Sequence, residues 1–362
     1  MSVSHKHISV ILNNLKGLYS FNKQNTYLSN PPSFIWIEPT NHCNLHCIMC
    51  PNGQGLIHIK KGFMEFELYK KIINEIKGYA STVVLALNGE PLLHPKLSEM
   101  IKFAHQNHVN ISLNTNATLL TKELSHKLLE GGLNFISFAF DGFSKNHYEK
   151  IRKGADFEKT LKNIQYFLTL KKKKKINAPY SVLSVLMLNL GENNFTEKNN
   201  FFKLFDGLID EIRLREVSSW GKIFKDTKQF SYRNNKGYFY PCSRLWTSIS
   251  IAWNGDVVPC IYNANHEYLI GNLQYSSLKE LWNHHKLLKL RRSMFDKTYL
   301  SISPLCDNCI VVGTPPILGI PSGIRISLSD AFTNIMGYGF ERIALKFANI
   351  LANGNFSSRK VN

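Results

Sequence analysis

The sequence lacks the features that would send the chain into or across a membrane. None of its apolar runs is long enough to cross a bilayer. The apolar residues near the N-terminus are interrupted by Asn13, Asn14 and Lys16, and no small-residue cleavage site follows them. We therefore expect a soluble, cytoplasmic protein without a secretory signal.

Acidic residues are scarce: 26 Asp and Glu stand against 44 Lys and Arg, a formal net charge of +18. Such an excess can indicate a nucleic-acid partner. Here the lysines are spread along the chain except at Lys171–Lys175, which closes a predicted helix at Phe157–Leu170, where cations favour the helix C-terminus. We interpret the lysine run as a solvated helix end and expect no nucleic-acid partner.

Cysteine is also limited, to seven residues, an odd number that does not suit a disulfide framework. Disulfide frameworks are typical of short secreted chains, whereas this chain has 362 residues, 44% of them hydrophobic, enough for a sizeable core. The cysteines are grouped, which indicates metal binding in a reducing compartment.

Three cysteines fall within eight residues, in the stretch NHCNLHCIMCP. Cys43, Cys47 and Cys50 follow a short apolar run, Phe34–Ile37, that predicts a buried strand. Tetrahedral zinc and cubane clusters both take four ligands, so three thiolates leave one corner unfilled. The loop therefore either takes a fourth ligand from elsewhere or keeps a position open for chemistry. A zinc knuckle or chance clustering is the alternative.

Short apolar strands alternate with amphipathic helices from Phe34 onward. The predicted strands are Phe34–Ile37, Thr82–Leu87, Asn110–Asn114, Phe135–Phe140, Tyr180–Leu188 and Glu211–Val217. The predicted helices are Glu65–Lys77, Lys96–Asn107, Lys122–Gly131, Asp156–Leu170 and Glu197–Leu208. This order predicts an α/β fold with a parallel sheet and right-handed crossovers. Periodicity does not separate a barrel from an open doubly wound sheet.

The other four cysteines, Cys242, Cys260, Cys306 and Cys309, form a second group around a predicted hairpin. The hairpin, Ile249–Val258, turns at Asn254-Gly255, a strong two-residue turn signal, and would bring Cys242 and Cys260 together at its base. The Cys306–Cys309 pair then completes four ligands by folding back. Such a site could hold zinc or a [4Fe–4S] cluster, and composition does not decide between them.

The Cys43/Cys47/Cys50 spacing resembles the signature of the radical S-adenosylmethionine (SAM) superfamily, with Ile48-Met49 in place of the usual Tyr/Phe-x before the last cysteine. The resemblance implies a partial (β/α)6 TIM-like barrel with its site at the C-terminal strand ends. It also implies a [4Fe–4S] cluster whose open iron is chelated by SAM. Cleavage of SAM would give a 5′-deoxyadenosyl radical that abstracts a substrate hydrogen.

The resemblance also implies roles for residues that follow the strands. Gly89-Glu90-Pro91 is similar to the turn that binds the SAM ammonium, with Asn88 where the family usually has glycine; alone, it would be an ordinary turn. Asn114 and Asn116 resemble the strand end near the ribose, and strand-capping asparagines are the alternative. Arg152 is the candidate partner of the SAM carboxylate, or else a surface arginine at a helix start, and Asn189 is similarly placed.

The second cysteine group lies in a segment that closely resembles the SPASM/twitch domains of the same superfamily. The combined resemblance covers roughly residues 34–312 and implies an auxiliary, fully Cys-ligated [4Fe–4S] cluster. Because all seven cysteines are then assigned, one auxiliary cluster is the limit, as in the shorter twitch arrangement. The implied domains are an N-terminal helix and linker (1–32), the barrel (33–229), the auxiliary-cluster domain (230–313), and a linker with a C-terminal amphipathic helix (314–362).

The leading functional prediction is a radical SAM oxidoreductase whose auxiliary cluster accepts or relays an electron. Its substrate would be a sugar, cyclitol or other alcohol, as for the amino-inositol dehydrogenase of butirosin biosynthesis, which has the same four-cysteine order. The alternatives are a peptide-modifying maturase, disfavoured because residues 1–32 are too few for a leader-binding domain, and a non-enzymatic zinc- or cluster-binding scaffold.

The predicted partners are a small-molecule or peptide substrate and an external electron donor such as flavodoxin or ferredoxin. The C-terminal helix, near Ser329–Ala352, is expected to pack on the protein body, with peripheral membrane contact as the minority interpretation. Further inward-facing candidates near the strand ends are Glu38, Arg213, Arg215, Glu216 and Trp220. An ion pair between Arg213 and Glu216 explains those two equally well.

Overall fold

The computed structural model describes residues 5–188, 195–215, 217, 220, 223–224, 239–307, 309, 311–312, 314–317 and 319–328. Six parallel strands form its main sheet: β1 Phe34–Ile37, β2 Thr82–Leu85, β3 Ile111–Thr115, β4 Phe135–Ala139, β5 Tyr180–Leu186 and β6 Glu211–Arg215. All six are predicted strands, shorter or shifted by a few residues. They stand in sequence order, and within the described residues no hydrogen bonding closes the sheet, as in a partial TIM barrel.

Amphipathic helices follow the strands and cover one side of the sheet. They are α2 Phe66–Ile76, α3 Leu97–Gln106, α4 Lys122–Glu130, α5 Lys145–Ile151, α6 Phe157–Lys173 and α7 Phe195–Lys203, after the N-terminal helix α1 His5–Asn22. Side-chain caps fix two of their starts, with Thr121 accepting from the Leu124 amide and Asp156 from the Lys159 amide. The short helix α5 was not predicted.

The sheet continues from β1 into the segment of the second cysteine group. β7 Ser248–Ile251 pairs in parallel with β1, and the antiparallel strands β8 Asp256–Val258 and β9 Gly271–Asn272 extend the sheet to nine strands. The hairpin turns where predicted, with Gly255 at φ +87°, a conformation that favours glycine. The barrel strands and the auxiliary segment therefore share one sheet, with β1 between them.

The N-terminal segment packs against the auxiliary segment. Backbone carbonyls of residues 25–30 accept hydrogen bonds from the indole nitrogens of Trp246 and Trp282, at 2.8 and 2.7 Å. The buried Arg291 guanidinium, stacked on Trp282, donates to three carbonyl oxygens at 2.9 to 3.0 Å, including that of Thr26. These bonds join the N-terminal segment to the turn Ser243–Trp246 and to the helices α8 Leu278–Trp282 and α9 His285–Phe295.

Two predictions for helix ends are corrected. Helix α6 runs on to Lys173, so part of the lysine run is helical, and Lys171 is buried with its ammonium 2.5 Å from Asp210. That lysine is a buried ion-pair partner rather than part of a solvated end. In the predicted C-terminal linker, residues 322–328 are already helical and bury Ile324.

The predicted helix near Ser329–Ala352, together with Asn189 and Glu216, lies outside the described residues. Among the helices of the described residues, none is long and apolar enough to span a bilayer.

Candidate active site

The loop after β1 carries the first three cysteines and is held in place by its backbone. The amides of His46 and Ile48 donate to the carbonyls of Lys153 and Ile151, at 2.8 and 3.0 Å. The loop then folds back so closely that a Cβ on Gly53 would lie 2.6 Å from the Cys47 nitrogen. Only glycine fits there, so the loop shape is fixed by contacts rather than by the cysteines alone.

The three thiols are free and lie close enough to influence one another. Burial raises the pKa of Cys43 to about 11, with smaller contributions from the charges of Glu90 and Cys50. Burial likewise raises the pKa of Cys47 to about 12, with a smaller contribution from the charge of Cys50. Three thiolates in this pocket would repel one another, and metal ligation requires thiolates, so a cationic iron cluster suits the donor set. Within the described ranges, no three Cys, His, Asp or Glu side chains converge as the ligands of a single ion do.

The Gly89-Glu90-Pro91 turn packs directly on the cysteine loop. The Glu90 amide donates to the His42 carbonyl at 2.8 Å, and a Cβ on Gly89 would lie 2.1 Å from the Thr40 oxygen. The Asn52 side chain donates to the carbonyls of Asn41 and Asn88 and so joins loop and turn. The predicted SAM turn and the cysteine loop are thus one packed unit.

The Glu90 carboxylate is buried and mostly bound to protein groups. It accepts from the Thr115 hydroxyl and the Asn116 amide, both at 2.7 Å, and from the Leu92 amide at 3.0 Å. Burial raises the pKa of Glu90, against these hydrogen bonds. Glu90 therefore fixes the end of β3 to the turn, whatever it contributes to ligand binding.

The two predicted asparagines at the end of β3 have different surroundings. Asn116 is buried and donates to the Asn44 side chain at 3.1 Å, while its own oxygen accepts from Thr118. Asn44 lies between Cys43 and Cys47, so Asn116 supports the cysteine loop. Asn114 is half-buried, and its side-chain amide makes no hydrogen bond within the described part of the chain. Of the two, Asn114 has the group that a ligand can use.

Arg152 is buried beside the cysteine loop rather than exposed on the surface. One of its nitrogens lies 2.6 Å from Asp141, whose other oxygen accepts from the Leu186 amide at 2.7 Å. Burial alone would lower the pKa of Arg152, but the charges of Asp141 and Cys47 raise it. Its Nε has no hydrogen-bond partner among the residues that the structure describes. A charged guanidinium with one unpaired donor thus lies next to Cys47.

The four cysteines of the second predicted group act electrostatically on one another. Cys242 precedes β7, Cys260 follows β8, and the Cys309 amide donates to the Cys306 carbonyl at 3.3 Å. Burial, followed by the charge of Cys309, raises the pKa of Cys242 to about 12 and that of Cys260 to about 11. The charges of Cys260 and Cys242 likewise act on Cys306. Four thiols are the number of donors that a fully ligated cluster requires.

Two contacts made by Trp220 connect the cysteine groups. Trp220 was predicted to face inward near the strand ends, whereas its partner Tyr262 was not. The Trp220 indole donates to the Met49 carbonyl at 3.2 Å and meets the Tyr262 ring edge-on at 5.7 Å. Tyr262 lies two residues after Cys260, so the aromatic pair spans the space between the groups. Tyr262 was not predicted as a site residue. Its nearness to Cys260 is visible in the sequence, but an aromatic residue close to a cysteine is too common to indicate a site.

Two of the remaining candidates, Glu38 and Arg213, have structural partners. Glu38 is fully buried and accepts from the backbone amides of Asn88 and Trp253, at 3.1 and 3.3 Å. Arg213 forms a two-point contact with Glu211, at 2.8 and 2.9 Å. Glu38 thus joins the predicted SAM turn to the hairpin of the second cysteine group, a role that its position in the sequence did not reveal.

Comparison with known families identifies the class of protein. The model of the radical SAM superfamily matches residues 37–197, and that of an iron–sulfur cluster-binding domain, SPASM, matches residues 242–310. The chain belongs to the radical SAM superfamily and carries a SPASM domain. Membership implies an enzyme that uses a [4Fe–4S] cluster and SAM, together with auxiliary iron–sulfur ligation in the SPASM domain.

Individual relatives are distant. The chain is 31% identical over 140 residues to the AdoMet-dependent heme synthase of Methanosarcina barkeri, covering 38% of this chain but only 40% of that protein. It is 23% identical to a tungsten-containing aldehyde ferredoxin oxidoreductase cofactor-modifying protein of Pyrococcus furiosus, covering 76% of this chain and 86% of that one. The structure of Streptococcus suis SuiB bound to the precursor peptide SuiA shares the fold, with a TM-score of 0.59, 16% identity, and coverage of 77% of this chain and 70% of that one.

Proposed function

We propose that this protein is a cytoplasmic radical SAM oxidoreductase that removes hydrogen from an alcohol such as a sugar or cyclitol. Cys43, Cys47 and Cys50 would hold the SAM-binding cluster, and Cys242, Cys260, Cys306 and Cys309 an auxiliary cluster. The supporting observation is that the two cysteine groups, one three-fold and one four-fold, are connected through Trp220 and Tyr262. A three-cysteine site leaves a ligand position for SAM, whereas a four-cysteine site is closed to substrate.

When bound at Cys43, Cys47 and Cys50, the cluster and SAM would supply the radical chemistry that removes a substrate hydrogen, and a cluster at the four-cysteine group would supply an electron acceptor. The chain's own residues position the reactants. The Gly89-Glu90-Pro91 turn presents its backbone beside the cysteine loop, where SAM would lie. Asn114 offers an unbonded amide to the ribose, and the Arg152 Nε offers a donor to the SAM carboxylate.

Besides these positioning residues, the apolar surroundings of the cysteine loop would affect the reaction. Leu45, Met49, Ile151 and Leu188 pack around the loop as an apolar cluster with Cys47. Excluding water from this pocket would protect a radical from quenching and strengthen the pairing of Arg152 with its anionic partners. The first electron would come from an external donor such as flavodoxin or ferredoxin.

The test is anaerobic reconstitution with iron and sulfide, followed by dithionite and SAM. We expect about eight irons per chain, from two cubane clusters, and the formation of 5′-deoxyadenosine. If both clusters are intact and 5′-deoxyadenosine does not form, the proposal fails. A colourless protein with zinc would instead support the scaffold alternative.

A peptide-modifying maturase is the second candidate, because SuiB, solved with a precursor peptide, has the same fold. The two candidates differ in the product. An alcohol dehydrogenation yields a carbonyl that carbonyl reagents trap, whereas a crosslink or an epimerised residue does not. Neighbouring genes for a precursor peptide, rather than for sugar metabolism, would favour the maturase.

A further inference from the structure

The N-terminal helix α1 exposes a stripe of apolar side chains. Ile8, Leu12, Leu15 and Tyr19 recur at the spacing of one helix face, and their exposed fractions lie between 45 and 61%. We call these four side chains the α1 stripe. Of the ten large apolar side chains that are exposed in the described part of the chain, five lie within residues 8–27. Single exposed apolar residues are ordinary, whereas such a concentration marks a surface that a partner covers.

The opposite face of α1 is fixed to the body of the protein. Gly17 packs so closely that a Cβ there would lie 3.3 Å from the Trp246 oxygen, and the Phe21 ring meets the Trp246 ring edge-on at 5.1 Å. The buried Asn14 side chain accepts from the Ser33 hydroxyl at 2.7 Å. Because these contacts hold the other side of the helix, the stripe cannot turn inward to the core.

A groove of about 330 Å³ lies beside the stripe, between α1 and the segment that precedes β1. Its apolar lining residues include Ile8, Leu12, Pro31 and Tyr79. Lys16 also lines it, so one groove combines apolar walls with a cation. Ligand grooves of this size are typically apolar with a few polar groups that orient the ligand. This combination suits an amphiphile with an anionic head group.

The N-terminal segment itself contributes only basic charge. Lys16 and Lys23 are exposed and form no ion pair with any residue that the structure describes. Residues 1–37 contain no Asp or Glu, and the whole chain has a formal net charge of +18. A second copy of the chain is poorly matched, because a two-fold interface would bring these lysines against the same lysines. A nucleic acid would leave the apolar stripe uncovered, whereas an anionic lipid surface complements both the lysines and the stripe.

The stripe lies at the opposite ends of the strands from the cysteine loop. Ser33, which is bonded to Asn14 of α1, immediately precedes β1, and Tyr79 in the groove comes shortly before β2. The cysteine loop instead follows the C-terminal end of β1, the end at which barrel active sites lie. A surface bound to the stripe would therefore leave the candidate active site open.

We propose that the α1 stripe is a docking surface for the anionic lipids of a membrane. The apolar side chains would enter the boundary between head groups and acyl chains, and Lys16 and Lys23 would pair with lipid phosphates. Tyr19 and the nearby Tyr27, which is 69% exposed, suit the head-group level, where tyrosine is enriched. This inference goes beyond the proposed function and does not rest on it, because lipid binding requires neither SAM nor a cluster.

Co-sedimentation with vesicles tests the docking surface. The reconstituted full chain is mixed anaerobically with vesicles of phosphatidylcholine, alone or with an equal amount of phosphatidylglycerol. We expect it to pellet with the anionic vesicles at low salt, to stay in the supernatant with phosphatidylcholine, and to be released by high salt. The double variant Leu12→Gln/Leu15→Gln should lose about tenfold or more of its affinity for the anionic vesicles, because two apolar side chains no longer enter the lipid. Lys16→Gln should lose about fivefold.

Leu204→Gln and Lys162→Gln are matched controls, because both residues are exposed and lie several strands away from β1 in the sheet. Their affinity for the anionic vesicles should equal that of the unaltered protein. Circular dichroism verifies the fold of each variant, and if the double variant does not fold, Lys16→Gln decides the matter.

The proposal is overturned if the unaltered protein does not pellet with the anionic vesicles, or if the folded double variant binds them equally well. Light scattering after size exclusion tests the competing occupant. A dimer that the double variant converts to monomer would show that a second copy covers the stripe, and it would overturn the proposal as well.

Formation of 5′-deoxyadenosine is measured on the same preparations, so the two hypotheses can fail independently. Because the stripe lies at the opposite strand ends, the double variant should cleave SAM at the rate of the unaltered protein. Vesicle binding without any SAM cleavage would refute the proposed function and leave the docking surface. SAM cleavage without vesicle binding would do the reverse.

Discussion

The carboxylate of Glu38 accepts a hydrogen bond from the backbone amide of Trp253 at 3.3 Å, and thereby joins the end of β1 to the turn of the auxiliary hairpin. Its other oxygen accepts from the Asn88 amide at 3.1 Å, at the start of the predicted SAM turn. One buried carboxyl group thus fixes the position of the auxiliary segment relative to the predicted SAM turn. A change at Glu38 would act on both sites without touching either ligand.

Glu38→Gln should alter how the free energy of unfolding depends on pH. Burial raises the pKa of Glu38 above its ordinary value of 4.5, so between that value and the folded-state pKa the folded protein holds a proton that the unfolded chain has lost. Stability from Glu38 is therefore greatest below pH 4.5 and declines as the pH rises toward the folded-state pKa. Anaerobic urea unfolding at several pH values above 4.5 should show this decline in the unaltered protein and a flatter profile in the variant.

Glu67→Gln is the control for that experiment, since Glu67 lies on the exposed face of α2 and pairs with Lys70. Its pH profile should match that of the unaltered protein. A Glu38→Gln profile identical to both would contradict the role given to Glu38.

Gly89→Ala should disrupt the packing of the SAM turn on the cysteine loop. The new Cβ would lie 2.1 Å from the Thr40 oxygen and 2.6 Å from the His42 oxygen, both backbone atoms that cannot move without shifting the loop. We expect a stability loss of about 1–3 kcal/mol or more, with reduced iron at the three-cysteine site. Gly78→Ala, where a Cβ meets nothing within 4 Å, should have neither effect. Normal iron content and SAM cleavage in Gly89→Ala would show that the contact is not needed.

Cys43→Ala and Cys306→Ala should separate the two sites. Loss of Cys43 removes a proposed ligand of the SAM-binding cluster and should abolish 5′-deoxyadenosine formation. Loss of Cys306 affects the other group and should spare some SAM cleavage while stopping product formation. The measurement is chromatography of 5′-deoxyadenosine and product, with iron content for each variant. Full product formation by Cys306→Ala would exclude the auxiliary site from the reaction.

Arg291→Lys should destabilise the junction of the N-terminal and auxiliary segments. Burial lowers the pKa of Arg291 to about 9, yet the guanidinium donates to the carbonyls of Leu245, Thr26 and Trp282. Lysine cannot reproduce that planar set of donors, so at least one buried carbonyl is left unpaired, at about 1–3 kcal/mol each. Urea unfolding measures the loss. The neighbouring exposed Arg292→Lys should change stability by less than about 0.5 kcal/mol.

Local patterns in the sequence predicted the elements that depend on local chemistry. The six strands, most of the helices and the Asn254-Gly255 turn follow from hydrophobic period and turn residues. The pairing of β1 with β7 could not be predicted in this way, because both strands are short apolar runs and nothing in either specifies its neighbour. The same holds for Glu38, whose partners are backbone amides contributed by distant loops.

In the candidate site, too, the features set by local sequence could be predicted, and the contacts between distant segments could not. The cysteine spacing predicted two groups of thiols, since the members of each group lie on short loops or beside one hairpin. Arg152 was expected as a surface or SAM-binding residue, but its pairing with Asp141 depends on the relative placement of β4 and α5. Lys171 was misassigned because its partner, Asp210, is 39 residues away. Burial of a charge cannot be read from a run of like charges.

The central place of β1 in the sheet has a consequence for biosynthesis. β1 is synthesised early, but one of its two neighbouring strands, β7, consists of residues 248–251. Arg291, which donates to the Thr26 carbonyl of the N-terminal segment, is synthesised later still. Chains emerge from the ribosome N-terminus first, and late partners leave early strands open. Until the auxiliary segment is complete, the apolar edge of β1 can pair with another chain. A product truncated after β6 should therefore aggregate, and the enzyme should depend on chaperones more than its size suggests.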